Sequence, residues 1–409
     1  MSKPHFSYLY ILLLLLSFSS KAQVNLDSLW GVWNDKTQED TNRLKAINDI
    51  AWDGYLFSQP DSAFYFAQMG YDFAEARNNK KWMSTSLNTQ GISFAIRADY
   101  EKALEYYSNS LAIRNGLGDK KEVAGSYHNI GRVYEKQGNY QRALEYYLKS
   151  LSIAEQLGKK RGMINNYNTI GLIYQEQGNY EKAMDYYLKS LKIAKEFGDN
   201  RGIGDSYHNI GLVYQDQDNN EKSLKYHSKS LAIFEQIGDK KGMGACYNNI
   251  GNIYSDQGNY EKALEYHLKS FVIREEIGDK KGMGSSYNNI GIIYKKQDNY
   301  EKALEYLLEA KNIKQEITTI KGLDETSEAL SEVYKKLGKY KQALEVHELY
   351  MEIKDSIAKM DAEEELYKFE VDKEYQLKKQ ADSILHADEI IIQQAENRAK
   401  EEQLKSEKQ

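Results

Sequence analysis

Between Ala124 and Met163 the apolar residues recur twice at helical spacing. Tyr127, Ile130, Gly131 and Tyr134 stand at i, i+3, i+4 and i+7, which places them on one helix face. Gln137-Gly138-Asn139 interrupts the pattern with residues that tolerate a left-handed backbone at a helix end. A second run follows, with Tyr140, Ala143, Leu144, Tyr147, Leu151 and Ile153 or Ala154 again on one face. Gly158 closes it, and Lys159, Lys160 and Arg161 lie beside the negative end of that helix dipole. The stretch therefore predicts a helix–turn–helix unit.

The unit returns almost unchanged from Ile164, Gly204, Gly244 and Gly284, and in weaker form from Ser84 and Asp324. The most degenerate copy begins near Leu44. Gly91, Gly131, Gly171, Gly211, Gly251 and Gly291 mark a constant period of forty residues. A fixed period of this size means stacked supersecondary units, none able to bury its apolar face alone. Residues 44–363 are thus expected to form an all-α array of about eight copies, degenerate at both ends, preceded by a partly helical lead-in at 23–43. Asp218, Asn219 and Asn220 replace Gly-Asn-Tyr in one copy and Ser223 replaces Ala, so that copy is expected to be looser.

Composition changes this picture at the two ends. Residues 1–22 read as a secretory signal: Lys3, an apolar run of 11 residues from Tyr8 to Phe18 that is too short to span a bilayer, then Ser20-Lys21-Ala22. Cleavage is expected before Gln23, and no cysteine follows the run to carry a lipid. Residues 364–409 have neither Gly nor Pro, and Leu377, Ile384 and Ile391 recur every seven residues, so a long charged helix is expected there, with a short seam that could pair as a coiled coil. Residues 361–409 hold 14 acidic and 8 basic residues, which accounts for most of the negative balance left once Lys3 and Lys21 are removed with the signal, so the array is nearly neutral. A nucleic-acid partner, which needs a basic face, is not expected. Cys246 is the single cysteine, so no intrachain disulfide can form.

These residues resemble the tetratricopeptide repeat, whose pattern is W-x2-L-G-x2-Y, then A-x3-F, then P. Tyr127, Ile130, Gly131 and Tyr134 match the first part, Ala143 and Tyr147 the second, and Ser150 falls where the family has a small residue. The match recurs at Tyr167, Ile170, Gly171, Tyr174, Ala183 and Tyr187, and at Tyr247, Ile250, Gly251, Tyr254, Ala263 and His267. The resemblance implies a right-handed superhelical solenoid. Two departures stand out. Glu155 replaces the family's proline, and Gly158 to Met163 with its copies adds six residues to the usual unit, read here as an extended connection between repeats.

No catalytic constellation emerges. His227, His267 and His347 occupy the place of Tyr147, which makes them half-buried replacements for tyrosine rather than metal ligands. Cys246 sits where other copies carry Ser126, Ser206 and Ser286, as a small packing residue. GDKKGMG follows no strand, which argues against a phosphate loop. No cofactor and no metal are expected.

The family resemblance implies that the first helices of the repeats line a concave groove. The groove positions would be Asn88, His128, Asn168, His208, Asn248 and Asn288, with Asn129, Asn209, Asn249 and Asn289 beside them. Arg132, Asn252, Glu135, Gln175, Gln215, Ser255 and Lys295 come one turn later. Asn amides carry both donors and an acceptor, so a row of them can hold the backbone of an extended peptide; alternatively they only solvate the face or bridge neighbouring helices. The expected function is a non-enzymatic scaffold that binds a protein or peptide segment, exported to the periplasmic or extracellular side of a bacterial envelope. The alternative is the extracytoplasmic sensory part of a bacterial receptor whose transmembrane and output domains (histidine kinase, serine phosphatase or transcriptional regulator) lie beyond Gln409.

Overall fold

The structure, a computed structural model, describes residues 25–317 and 322–362 together with Glu365, Phe369 and Lys373. The expected signal at 1–22 lies outside the described residues, as does the charged helix expected at 364–409 apart from those last three. The chain divides into two compact units, Met1–Val133 and Tyr134–Gln409. The first holds α1 (Leu26–Asn34), α2 (Asp40–Asp49), a π-helical segment (Ile50–Tyr55), α3 (Pro60–Glu75), α4 (Lys80–Ile96), α5 (Tyr100–Gly116) and most of α6 (Lys120–Lys136). The second holds α7 (Tyr140–Gln156), α8 (Lys160–Glu176), α9 (Tyr180–Phe197), α10 (Asn200–Asp216), α11 (Asn220–Ile237), α12 (Lys240–Asp256), α13 (Tyr260–Glu276), α14 (Lys280–Lys296), α15 (Tyr300–Glu316), α16 (Leu323–Lys336) and α17 (340–362). From α4 onward the even-numbered helices are the first members of their repeats and the odd-numbered ones the second. No strand occurs among the described residues.

The residues between the helices explain why the period is so regular. Asn179, Asn219, Asn259 and Asn299 each accept, through the side chain, a hydrogen bond from the N–H of the residue three places on, at 3.2 Å. Asp199, Asp239 and Asp279 cap α10, α12 and α14 in the same way, at 3.0–3.1 Å. Each cap satisfies one of the N–H groups that a helix leaves unpaired at its start.

The six extra residues do not form an extended connection. α7 ends at Gln156 and α8 begins at Lys160, so only three residues separate the repeats, as few as separate the two helices within one. The sequence GDKKGM instead supplies a cap and the first turn of the following helix. Its second glycine suggests a loop, but it is needed for packing: a Cβ on Gly242 would sit 2.6 Å from the ring of Phe234.

The core repeats as the residues do. Tyr187 is fully buried among Ala183, Leu191, Ile210 and Val213. Its ring lies on Gly171, where a Cβ would come within 2.6 Å. Tyr174 and Tyr186 stack at 5.6 Å, as do Tyr254 and Tyr266. In the copies before Ala310, a buried serine then ties one repeat to the next. Ser190 Oγ donates to Ile164 O and accepts from Ser206 Oγ at 2.9 Å. Ser270 Oγ donates to Gly244 O and accepts from Ser286 Oγ at 3.3 Å. The copy read as looser keeps its cap at Asn219, and the buried Ser223 donates to Gly211 O at 2.9 Å.

In the first unit the lead-in is packed. Arg43 Nε donates to Trp33 O at 2.9 Å, and its guanidinium lies over the ring of Phe73 at 4.4 Å. Ala98 has φ 60° where later copies carry Gly138 and Gly178 or the more tolerant Asp218 and Asp298. A left-handed backbone costs an L-residue roughly 1–2 kcal/mol. Ala98→Gly is therefore expected to stabilise this unit by roughly 1 kcal/mol after the entropy of the freer unfolded glycine is set against it. All four tryptophans lie between Trp30 and Trp82, so their emission during urea unfolding reports on this unit. A midpoint that stays put or falls would refute the strain.

Candidate functional site: the amide face of the first helices

The first helices carry the amide row predicted from the sequence, and the structure divides it into amides already used and amides still available. In the first unit, Asn129 Nδ2 donates to Asn88 Oδ1 at 3.0 Å, and the half-buried His128 precedes that bridge. In the second unit, Asn289 Nδ2 donates to Asn248 Oδ1 at 3.1 Å and to Asn252 Oδ1 at 3.2 Å. These amides join consecutive first helices, 41 residues apart in sequence, and so act as struts.

Asn288 does not face a groove. It is buried; its Nδ2 donates to Glu325 at 3.1 Å and its Oδ1 accepts from Thr326 Oγ1 at 2.7 Å. The last copy supplies these two partners where the preceding copy carries the shorter Ser285 and Ser286, and thereby encloses it. Glu135, Gln175 and Lys295, one turn further on, are struts as well. Tyr147 OH donates to Glu135 at 2.5 Å, Tyr187 OH to Gln175 Oε1 at 2.9 Å, and Lys295 pairs with Glu332 at 2.6 Å.

Asn209 and Asn249 differ from their counterparts. Both are half-buried, and neither side chain hydrogen-bonds to a described residue. Asn168, one repeat before Asn209, has a buried Oδ1 with no partner, although the same 41-residue offset joins Asn88 to Asn129. α10 also carries Asp205, Asn209, Leu212 and Asp216 at i, i+4, i+7 and i+11, a single stripe. Asp205 was not singled out by the sequence reading, because nothing in the repeat pattern marks it.

Next to this stripe the tyrosine of the core becomes histidine. His227 and His267 are fully buried, not half-buried, and lie flat on Gly211 and Gly251. Burial holds them neutral, with pKa values lowered to about 3 and about 4. His208, lowered to about 4 by burial, packs its ring 5.1 Å from that of His227 and its Nδ1 3.6 Å from Cys246 Sγ. The Cys246 thiol is buried beside Ser230 Oγ at 3.3 Å and is pushed up to about 12, so it is a packing group without thiolate reactivity. Among the described residues no three His, Cys, Asp or Glu side chains converge to hold a metal, and no helix is long and apolar enough to cross a membrane.

Comparison with known proteins follows the repeat. The family profile for the tetratricopeptide repeat matches overlapping windows from residues 82–156 to 282–356. No curated protein sequence matches the chain. Among solved structures, the apo form of the quorum sensor NprR from B. thuringiensis is similar with a TM-score of 0.60 and 16% identity, over 80% of this chain and 91% of that one. A Rap protein complexed with competence and sporulation factor gives a TM-score of 0.54 and 16% identity, over 82% and 97%. A signal transduction ATPase with a tetratricopeptide repeat sensor, from Pyrococcus horikoshii, gives 0.59 and 18%, over 84% of this chain and 54% of that one. At these identities the likeness is one of fold.

Proposed function

The chain belongs to the tetratricopeptide-repeat family, and we propose that it is an interaction scaffold whose first-helix face in the second unit holds an extended peptide or protein segment. The observation that carries this reading is the pair Asn209 and Asn249. They stand at one position of consecutive repeats and leave their amides uncommitted, while the equivalent Asn289 is spent on a bridge. An uncommitted amide offers two donors and one acceptor to a passing backbone. Support also comes from the complexed Rap protein, which shares the fold and is bound to a factor.

The test compares two variants. Replacing Asn209 and Asn249 together by Ala should leave helicity unchanged, since Ala is the better helix former. It should weaken a partner captured from the native source by roughly 1–3 kcal/mol, at about 0.5–1.5 kcal/mol for each lost hydrogen bond. Asn289→Ala should instead lower the melting temperature without any ligand. Undiminished binding by the double variant would refute the assignment of the face.

A sensory role is the second reading. The solved structures described as a quorum sensor and as a repeat sensor favour it, as does the signal-like pattern at residues 1–22. An input face must bind before it signals, so the same comparison bears on both readings.

A further inference from the structure

The amide face is not uniform along its length, and its middle holds a carboxylate without a hydrogen-bonded partner. Asp205 on α10 is half-buried and makes neither a hydrogen bond nor an ion pair with a described residue. Neighbouring copies place Asn165 and Ala245 at its position. Arg201, one turn earlier, acts on Asp205 through its charge but pairs its guanidinium with Asp239 at 3.4 Å, and Arg161 pairs with Asp199 at 3.5 Å.

Two amide oxygens of the neighbouring first-helix residues also lack a partner. Asn168 Oδ1 and Gln215 Oε1 are both buried and unpartnered. His227, on Gly211, is 0% exposed with both ring nitrogens unbonded and its ring against that of His208. In the copies that carry Tyr147 and Tyr187, a phenol hydroxyl reaches the residue equivalent to Gln215; histidine is too short to do so. Asp216, at the end of the stripe, already accepts from Gln175 Nε2 at 2.6 Å. Farther along the same face the balance is restored, since Lys295 answers Glu332 and Asn289 donates to two amide oxygens.

We propose that this stretch seats a guanidinium side chain of the segment held on the face, with the Asp205 carboxylate as counter-charge and the Asn209 amide oxygen as a second acceptor. Guanidinium presents five donors in a planar fork and no acceptor, which complements a surface of unpaired oxygens. A charge-assisted pair with a carboxylate is roughly twice as strong as a neutral hydrogen bond. The partner class is therefore an arginine-bearing peptide, an inference that rests on the peptide-binding reading above.

The experiment uses the full chain and three fluorescein-labelled octapeptides of glycine and serine, carrying two arginines, two citrullines or two glutamates. Citrulline keeps the shape of arginine and removes its charge. Fluorescence anisotropy should show the arginine peptide binding at least tenfold more tightly than the citrulline one, with the glutamate peptide weakest. Asp205→Asn should bring the arginine advantage below twofold and leave the citrulline peptide unaffected. Asp205→Ala, which copies the residue at Ala245, should do the same, and circular dichroism of both variants should match the parent. An arginine advantage that survives in both variants overturns the assignment to Asp205. Equal binding of the three peptides by the parent overturns the cation site and leaves the peptide face standing. Binding of none overturns both.

Discussion

Acidification from pH 7.5 to 4.5 should open the repeats between Gly204 and Met283 before the rest of the second unit. His208, His227 and His267 are held neutral by burial, with pKa values of about 4, 3 and 4 against an ordinary 6.5. A base with a depressed folded pKa contributes stability that is complete above about pH 6.5. That stability is lost as the pH falls toward the folded value, because only the unfolded chain takes up the proton. At pH 4.5 each histidine forfeits roughly 2.5 kcal/mol. Asp205 works the other way. Burial, with Asp239 and Asp199 nearby, raises its carboxyl to about 6, so the folded chain takes up that proton first and recovers roughly 2 kcal/mol over the same range. The balance is a loss on the order of 6 kcal/mol, comparable to the whole stability of many domains. Since repeats are coupled mainly to their neighbours, the loss is felt locally.

Hydrogen exchange at the two pH values, normalised to intrinsic rates, should show α10 to α13 losing protection first. His227→Tyr combined with His267→Tyr restores the residue found at Tyr147 and Tyr187, and should move the acid midpoint down by about one pH unit. A midpoint unchanged in that double variant would remove the histidines from the account.

Tyr187→Ala should be the most damaging single substitution in the middle of the array. The ring is fully buried, rests on Gly171, and donates through its hydroxyl to Gln175 Oε1 at 2.9 Å. Truncating a buried aromatic side chain costs about 3–5 kcal/mol. Tyr187→Phe removes only the hydroxyl bond and should cost about 1 kcal/mol. Gly171→Ala gives the sharper test. In the parent the new methyl meets the ring at 2.6 Å and should destabilise by roughly 1–3 kcal/mol. In the Tyr187→Ala background the ring is gone, and the same change should stabilise by up to about 1 kcal/mol through helix propensity. Thermal melts of the four proteins decide it: if Gly171→Ala has the same sign in both backgrounds, the glycine is not there to admit the tyrosine.

The expected site was only partly legible for a physical reason. Amides at one repeat position look equivalent in sequence, yet Asn129 and Asn289 are bridged while Asn209 and Asn249 are not. Whether two of them meet depends on how a helix settles on a neighbour some forty residues away, and the local pattern carries no record of that. Asn288 lost its place on the face because Glu325 and Thr326, in a degenerate copy, close over it. Asp205 passed unnoticed because its significance lies in what its neighbours lack.

The sequence by itself determined the all-helical repeat, its period and the break between the two helices of each unit. Each of these is set within one forty-residue unit by side-chain periodicity and backbone preference. Only the tertiary structure decided that the six extra residues are helix, since their glycines serve packing against Phe234 and its equivalents rather than a loop. It also decided which buried histidines lack partners and which amides remain open. Those properties belong to the contact between successive units, where a residue's environment is supplied by a part of the chain that its own local pattern does not describe.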